Sequence, residues 1–366
     1  MKAKTSFSTD SDLSHAVASI AQDLQGDDLR LVLYFASSIY DPRQLAPAMA
    51  AAFPGVPLLG CSTAGEIVSG RMLDRSIVAM AFGSELIKRV QMVVLPGVGA
   101  DARTAVGAGF KELVAGWGDS ITARRTEQRF GIILTDGLSG AEETVMDELG
   151  NLTNLPIVGG SAGDDLQFKR THLFAGAQAY TDAAVLAVIE AAVPFRLVKT
   201  QSFRVLSQTL TATRVNEARR QVLQFNGQPA ARAYAAALGV AVADLPSRFM
   251  KHPLGLVVDG QPFVRSPQRL EGGAVDFYCR ISEGSELHVL ESTDIIEDTR
   301  RALGPITEAS AVVNFHCILR TLELKDQGRC AAYGALFQGV PAIGFSTYGE
   351  AYIGHINQTS TILVLG

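Results

Sequence analysis

The chain has 366 residues, 47% of them hydrophobic and 19% charged, with a formal net charge of −5. That length exceeds one ordinary core and calls for two domains or a duplicated one, and so low a charged fraction describes large buried sheets. No basic run interleaves with aromatics, and the apolar stretches are strand-sized and interrupted, so neither a nucleic-acid partner nor a transmembrane helix is expected.

The N-terminal Met-Lys-Ala-Lys-Thr-Ser-Phe-Ser lacks an apolar signal core, which points to a cytoplasmic protein. Ser11 or Asp12 caps a first helix in which Leu13, Ala16, Val17, Ile20 and Leu24 recur at helical spacing, and residues 1–28 read as an N-terminal helical segment. Residues 29–35 form a buried strand, Asp41-Pro42 opens a helix through 46–52, and 56–60 returns to the sheet. Strands at 76–82 and 89–95 and a helix at 105–114 follow. A second unit begins with a strand at 130–136, continues through a helix at 142–149, returns at 155–159 and adds a strand at 183–189. Past Arg214 the texture changes to an alanine-rich helix at 229–238 and short strands at 254–259, 263–265, 275–279 and 286–290. A helix at 294–303 then leads to a third apolar strand at 311–315. The fold expected is α/β, with mixed, largely parallel sheets built from repeated strand–helix–strand units. A boundary near 214–220 divides it into closely packed halves, 29–215 and 216–366.

Three stretches share one pattern: Pro57-Leu-Leu-Gly60-Cys-Ser62-Thr-Ala-Gly65-Glu66, Pro156-Ile-Val-Gly159-Gly-Ser161-Ala-Gly163-Asp164 and Pro341-Ala-Ile-Gly344-Phe-Ser346-Thr-Tyr-Gly349-Glu350. One supersecondary unit has been used three times. Each copy ends in a glycine-rich turn with a hydroxyl and a carboxylate, where a ligand or another backbone can approach closely.

Four scattered cysteines without any Cys-x-x-Cys exclude a structural zinc site of the usual form and covalent haem attachment. Of the six histidines, His15 and His288 read as exposed, His252 as a turn residue, and His172 follows the second glycine turn. His316 ends an apolar run at the carboxyl end of a strand, where ligands of open α/β sheets sit. On the residues alone it reads either as a hydrogen-bonded core histidine or as a ligand. Gly159-Gly-Ser161-Ala-Gly163 matches the nucleophile elbow of serine hydrolases, but the residues after it are a poor helix start, and Ser62 and Ser346 repeat the serine where the pattern fails. Ser161 is therefore expected to cap a turn or bind a ligand, with hydrolysis as a minor alternative.

Residues 59–67, Leu134-Thr-Asp136-Gly-Leu-Ser-Gly and 156–165 resemble the N-terminal half of FIST sensory proteins, and residues 339–350 with Asn357-Gln-Thr resemble the C-terminal half. The resemblance implies a ligand sensor of bacterial signalling that works with a histidine kinase or a cyclic-dinucleotide enzyme. Asn314-Phe-His316-Cys-Ile-Leu-Arg320 looks most like a subgroup of haem-binding nitric-oxide sensors. It implies haem b with His316 as the iron ligand, His355 as a second candidate and Cys317 as a rival whose thiolate suits oxygen activation better than gas sensing. Ser62, Gly65, Glu66, Asp136, Ser161, Asp164, Ser346, Gly349 and Glu350 are the expected ligand-binding residues, and an amino-acid-like metabolite held at these turns is the alternative ligand. No phosphate-binding loop, kinase phosphoacceptor block or helix-turn-helix is visible, so no enzymatic output is expected and a separate partner must transmit the signal. A homodimer is left open.

Overall fold

The computed structural model describes residues 3–118 and 128–366; residues 1–2 of the expected N-terminal segment and 119–127 of the first half lie outside them. The chain divides into two compact units. The first comprises the chain up to Lys199 with Arg300–His355 and Ser360–Gly366; the second comprises Thr200–Thr299 and Ile356–Thr359.

One motif is used three times, almost entirely within the first unit: an edge strand, a helix, a lead strand, a crossover helix, a partner strand, a short hairpin and a closing strand. In the first repeat these are Lys4–Ser8, Leu13–Leu24, Leu29–Ser37, Pro42–Ala52, Leu58–Thr63, the hairpin of Glu66–Val68 and Arg71–Leu73, and Ile77–Gly83. In the second they are Ile87–Pro96, Val98–Trp117, Arg129–Thr135, Glu142–Leu152, Ile157–Ser161, the hairpin of Leu173–Ala175 and Gln178–Tyr180, and Ala183–Ala191. In the third they are Phe195–Gln201, Ile295–Leu303, Ala311–Cys317, Ile318–Asp326, Ala342–Thr347, the hairpin of Glu350–Tyr352 and Gly354–Ile356, and Thr359–Leu365. Most of the second unit is the sequence between the third repeat's edge strand and its first helix, and residues 295–299 of that helix and Ile356–Thr359 belong to it as well.

Local chemistry sets these elements. Asp12 caps the first helix by accepting from His15 N, and that helix buries Ala16, Val17, Ile20 and Leu24. Asp41 caps the first crossover helix, with Pro42 in its first turn where no amide donor is needed. Lead strands are buried on both faces because helices cover one side and the central core the other. The strand Lys4–Ser8, within the segment expected to be helical, is hidden by its polar sequence; it pairs antiparallel with Ile77–Gly83 at the sheet edge.

The structure is α/β, as the sequence implies. Each repeat builds a six-stranded sheet with one parallel pair, lead against partner strand. Closing strands and hairpins add antiparallel neighbours, so parallel pairing is narrower than expected: each repeat has one helical crossover, and hairpins can only pair antiparallel. The hairpins are exchanged cyclically. The first repeat's hairpin pairs with the third's partner strand, the second's with the first's, and the third's with the second's. The ring closes, and no repeat has a complete sheet without its neighbour.

Inner faces of all three sheets meet in one core that includes Phe35, Met80, Phe130, Ile132, Phe315 and Phe345. Phe35 and Phe345 lie 4.5 Å apart between ring centroids, and Phe315 packs 5.9 Å from Phe345. Each such buried ring contributes about 1.5–3 kcal/mol.

The second unit is an eight-stranded antiparallel sheet with the helix Ala230–Leu238 packed on it through Tyr234 and Phe225. Its longest strand, Phe203–Asn216, pairs with both Glu286–Ser292 and Gln221–Phe225. The boundary expected near 214–220 thus falls at the end of this strand, whereas the compact units part at Lys199 and Thr200.

Candidate ligand site on the third repeat

The three glycine-rich stretches are the joints of the ring. Gly60, Gly159 and Gly344 hold equivalent places in the partner strands, opposite Tyr34, Ile133 and Asn314. A Cβ at each would lie 2.1, 1.8 and 2.1 Å from the carbonyl oxygen of that opposite residue, so only glycine permits this close strand approach. Two residues on, each serine donates its backbone N–H to the incoming hairpin segment: Ser62 to His172 O at 2.8 Å, Ser161 to Gly349 O at 2.8 Å and Ser346 to Gly65 O at 2.7 Å.

The carboxylates and hydroxyls of these turns are engaged inside the protein. Glu66, fully buried, accepts from Thr63 Oγ1 and from Ser76 N and Oγ, yet burial pushes its carboxyl up to about 8. Glu350 repeats the arrangement, with Thr347 Oγ1 at 2.5 Å. Asp136 accepts from Thr171 Oγ1 at 2.5 Å, Leu138 N at 3.0 Å and Asp182 N at 2.6 Å. Asp164 accepts from Phe168 N, Lys169 N, Arg170 N and the Tyr348 hydroxyl. Ser62 Oγ donates to Gly163 O at 2.7 Å and accepts from His172 N at 2.9 Å. Ser346 Oγ lies 2.8 Å from Thr321 Oγ1. Gly65 takes φ +131°, open only to glycine. No helix follows Ser161; residues 162–172 form an irregular loop, so the strand–turn–helix of a nucleophile elbow is not built here. These nine expected ligand residues are therefore distributed over three structural joints.

The outer sheet faces tell the repeats apart. In the first repeat Tyr34 and Ala36 point into an apolar layer with Leu45, Met49 and Ile20. In the second, Ile133 points into a layer with Val145, Leu149 and Phe110, and Thr135 follows it. By register, Asn314 and His316 occupy these two places in the third. The third outer face is polar and still buried: Asn314, His316, Arg320, Thr321, Ser346 and Ser360 are each at most 2% exposed. Asn314 Nδ2 donates to the Tyr333 hydroxyl at 3.1 Å, and Ser360 Oγ donates to Asn314 Oδ1 at 2.6 Å.

His316 is the exception within this network. It is fully buried, its ring packs 4.4 Å from that of Tyr333, and neither ring nitrogen has a hydrogen-bond partner among the described residues. Burial, reinforced by Arg320, holds the imidazole well below its ordinary value, so it is neutral at physiological pH. A buried imidazole with both nitrogens unmatched costs about 1–3 kcal/mol per unsatisfied group. A neutral ring of this kind is poised to take one donor and one acceptor from a bound molecule. Asn314, Thr321, Tyr333 and Ser360 were not singled out by sequence; the legible signal was an asparagine and a histidine interrupting an apolar strand.

The other expected iron ligands stand elsewhere on the third repeat. Cys317 follows His316 at the strand's end and stands at the position just before the helix Ile318–Asp326, without a capping bond from its side chain. His355 lies against the third glycine turn; a Cβ on Gly349 would come within 2.2 Å of its ring, which is why that turn is glycine. As packed, the residues around His316 do not fit a porphyrin: the ring is sealed against Tyr333, its strand neighbours are Ser346 and Ser360, and it lines none of the cavities of about 750, 360 and 150 Å³. Among the described residues no group of three or more His, Cys, Asp or Glu is placed to hold a metal ion, and no helix is long and apolar enough to cross a membrane.

A threefold α/β ring with an antiparallel unit spliced into its last repeat and one polar outer face defines a repeat-built class of protein. Residues 30–228 match the FIST N domain and residues 230–352 the FIST C domain, and the chain belongs to the FIST family, whose domains serve sensory roles in signal transduction. It is 26% identical over 201 residues to an uncharacterized protein of Methanocaldococcus jannaschii; the match covers 50% of this chain and 38% of the relative.

Proposed function

We propose that this chain is a sensor whose small, polar, amino-acid-sized ligand binds on the buried face around His316, and that a separate signalling enzyme reads the bound state. The observation that carries this reading is the pair of nitrogens, unpartnered among the described residues, on a fully buried, neutral imidazole at the polar outer face of the third repeat. Unsatisfied buried polar groups in native proteins cluster where function requires them. Around the ring, the Asn314 amide, the Thr321, Ser346 and Ser360 hydroxyls and the Arg320 guanidinium supply donors and acceptors suited to a carboxylate and an amine. The reader is a histidine kinase or a cyclic-dinucleotide enzyme, since the sequence carries no output motif of its own. The strand Ala311–Cys317 is hydrogen-bonded on both sides, so filling the site biases a whole sheet and not a loose loop.

Haem b on His316, with nitric oxide as the signal, draws on the same free nitrogens and stands second because any ligand must part the ring from Tyr333 and a porphyrin needs far more room there than an amino-acid-sized molecule. The two readings part in an ultraviolet–visible spectrum of the purified chain after haem is added. The polar-ligand reading predicts no Soret band that depends on His316. A Soret band lost in His316→Ala and kept in Cys317→Ala would replace it with the haem reading, and one lost only in His355→Ala would move the iron ligand to His355.

A further inference from the structure

At the carboxyl ends of the first repeat's parallel pair a crevice of about 150 Å³ is lined by Ser37, Ser38, Lys169, Arg170 and His172, among others. Ligands of α/β sheets collect at such strand ends. The loop that forms its outer wall is held in an unusual shape. Asp165, Leu166 and Phe168 have φ of 52°, 63° and 52°, left-handed values that cost about 1 kcal/mol or more each outside glycine. What over-determines them is the Asp164 carboxylate, which accepts from Phe168 N at 2.9 Å, Lys169 N at 2.6 Å and Arg170 N at 3.0 Å, and from the Tyr348 hydroxyl at 2.5 Å. Phe168 stacks on Tyr348 at 4.9 Å and anchors the loop to the third repeat.

This scaffold uses up the acids and leaves the bases free. Asp165 Oδ2 accepts from Ser37 Oγ at 2.8 Å, Ser38 N at 2.9 Å and Ser38 Oγ at 2.6 Å. Asp41 caps its helix through Arg43 N at 2.9 Å, and Asp136 is held by Thr171 and Asp182. By contrast, no hydrogen bond or ion pair within the described residues engages the Lys169 ammonium, the Arg170 guanidinium or the His172 ring. Three donor side chains without a partner thus converge on a cavity too small for a nucleotide.

We propose that this crevice binds a small oxyanion, a dicarboxylate or inorganic phosphate, through Lys169, Arg170 and His172. Arg170 supplies a planar fork for two oxygens, Lys169 a point charge, and His172 a neutral N–H donor. The site is separate from the face around His316, and neither depends on the other.

Isothermal titration of the full chain with succinate and, separately, with inorganic phosphate tests it, and the two arms identify which anion chemistry is taken. Saturable binding of either is expected, weakened about tenfold or more in the Lys169→Ala/Arg170→Ala double variant, whose exposed positions leave the fold intact. Binding should persist unchanged in His316→Leu. Absence of saturable heat with both anions up to about 10 mM, binding in the double variant equal to the parent, or an equal loss in His316→Leu would each overturn the proposal.

Discussion

At the scale of single residues, His316 and Glu66 are buried groups held in states that water would not favour. Among the described residues His316 has no partner for either nitrogen, so replacing it with an apolar side chain removes an unsatisfied polar group and no bond. His316→Leu should leave the denaturant midpoint unchanged or raise stability by up to about 1 kcal/mol while removing ligand binding; a loss above about 2 kcal/mol would mean that the ring is bonded after all. Glu66 behaves differently. Its folded carboxyl is pushed up to about 8 from an ordinary 4.5, so between those values the folded state holds a proton that the unfolded state has released. Stability from this group is therefore fully present below about 4.5 and declines as pH rises to about 8. Denaturation curves across this window should show the decline in the parent and a flatter course in Glu66→Gln; identical slopes would refute the shift. Sequence made His316 visible because a histidine ends an apolar strand, but it could not show that Glu66 faces Ser76 across a turn.

Elements depend on the glycines at the ring joints. A methyl on Gly159 would sit 1.8 Å from Ile133 O, which no side-chain rearrangement relieves, whereas Gly150 in the helix Glu142–Leu152 has open space around it. Thermal melts should show Gly159→Ala losing about 3 kcal/mol and Gly150→Ala gaining a few tenths to about 1 kcal/mol. A mild effect at Gly159 would mean that the parallel pair is more loosely held than described. The repeat was legible from the recurring Pro-x-x-Gly-x-Ser pattern, and so were the lead strands, whose apolar runs are long enough to read. The exchange of hairpins was not: Glu66–Val68 and Gly354–Ile356 are three residues each, and nothing local says whose sheet they join. The strand Lys4–Ser8 was missed because edge position lets Lys4, Thr5, Ser6 and Ser8 stand where apolar residues would otherwise mark a strand.

For the whole molecule, the repeat explains why a texture change near Arg214 marks an insertion and not a simple second half. The inserted unit leaves and returns at adjacent points, with Thr293 N bonded to Ser202 O at 2.8 Å and Phe203 paired with Ser292. A chain in which residues 203–292 are replaced by a short glycine–serine turn should keep a cooperative melt of the three-repeat ring; a molten, non-cooperative product would show that the ring needs the insert to fold. The symmetry of that ring also makes the functional argument, since two outer faces are filled by apolar side chains and the third by Asn314, His316 and Ser346. The most direct test is native mass spectrometry of the chain as it emerges from cells, beside His316→Leu. The account predicts a bound small molecule in the parent spectrum that is missing from the variant. The same mass on both proteins, or bare protein in both after incubation with a pool of amino acids and small carboxylates, would contradict it.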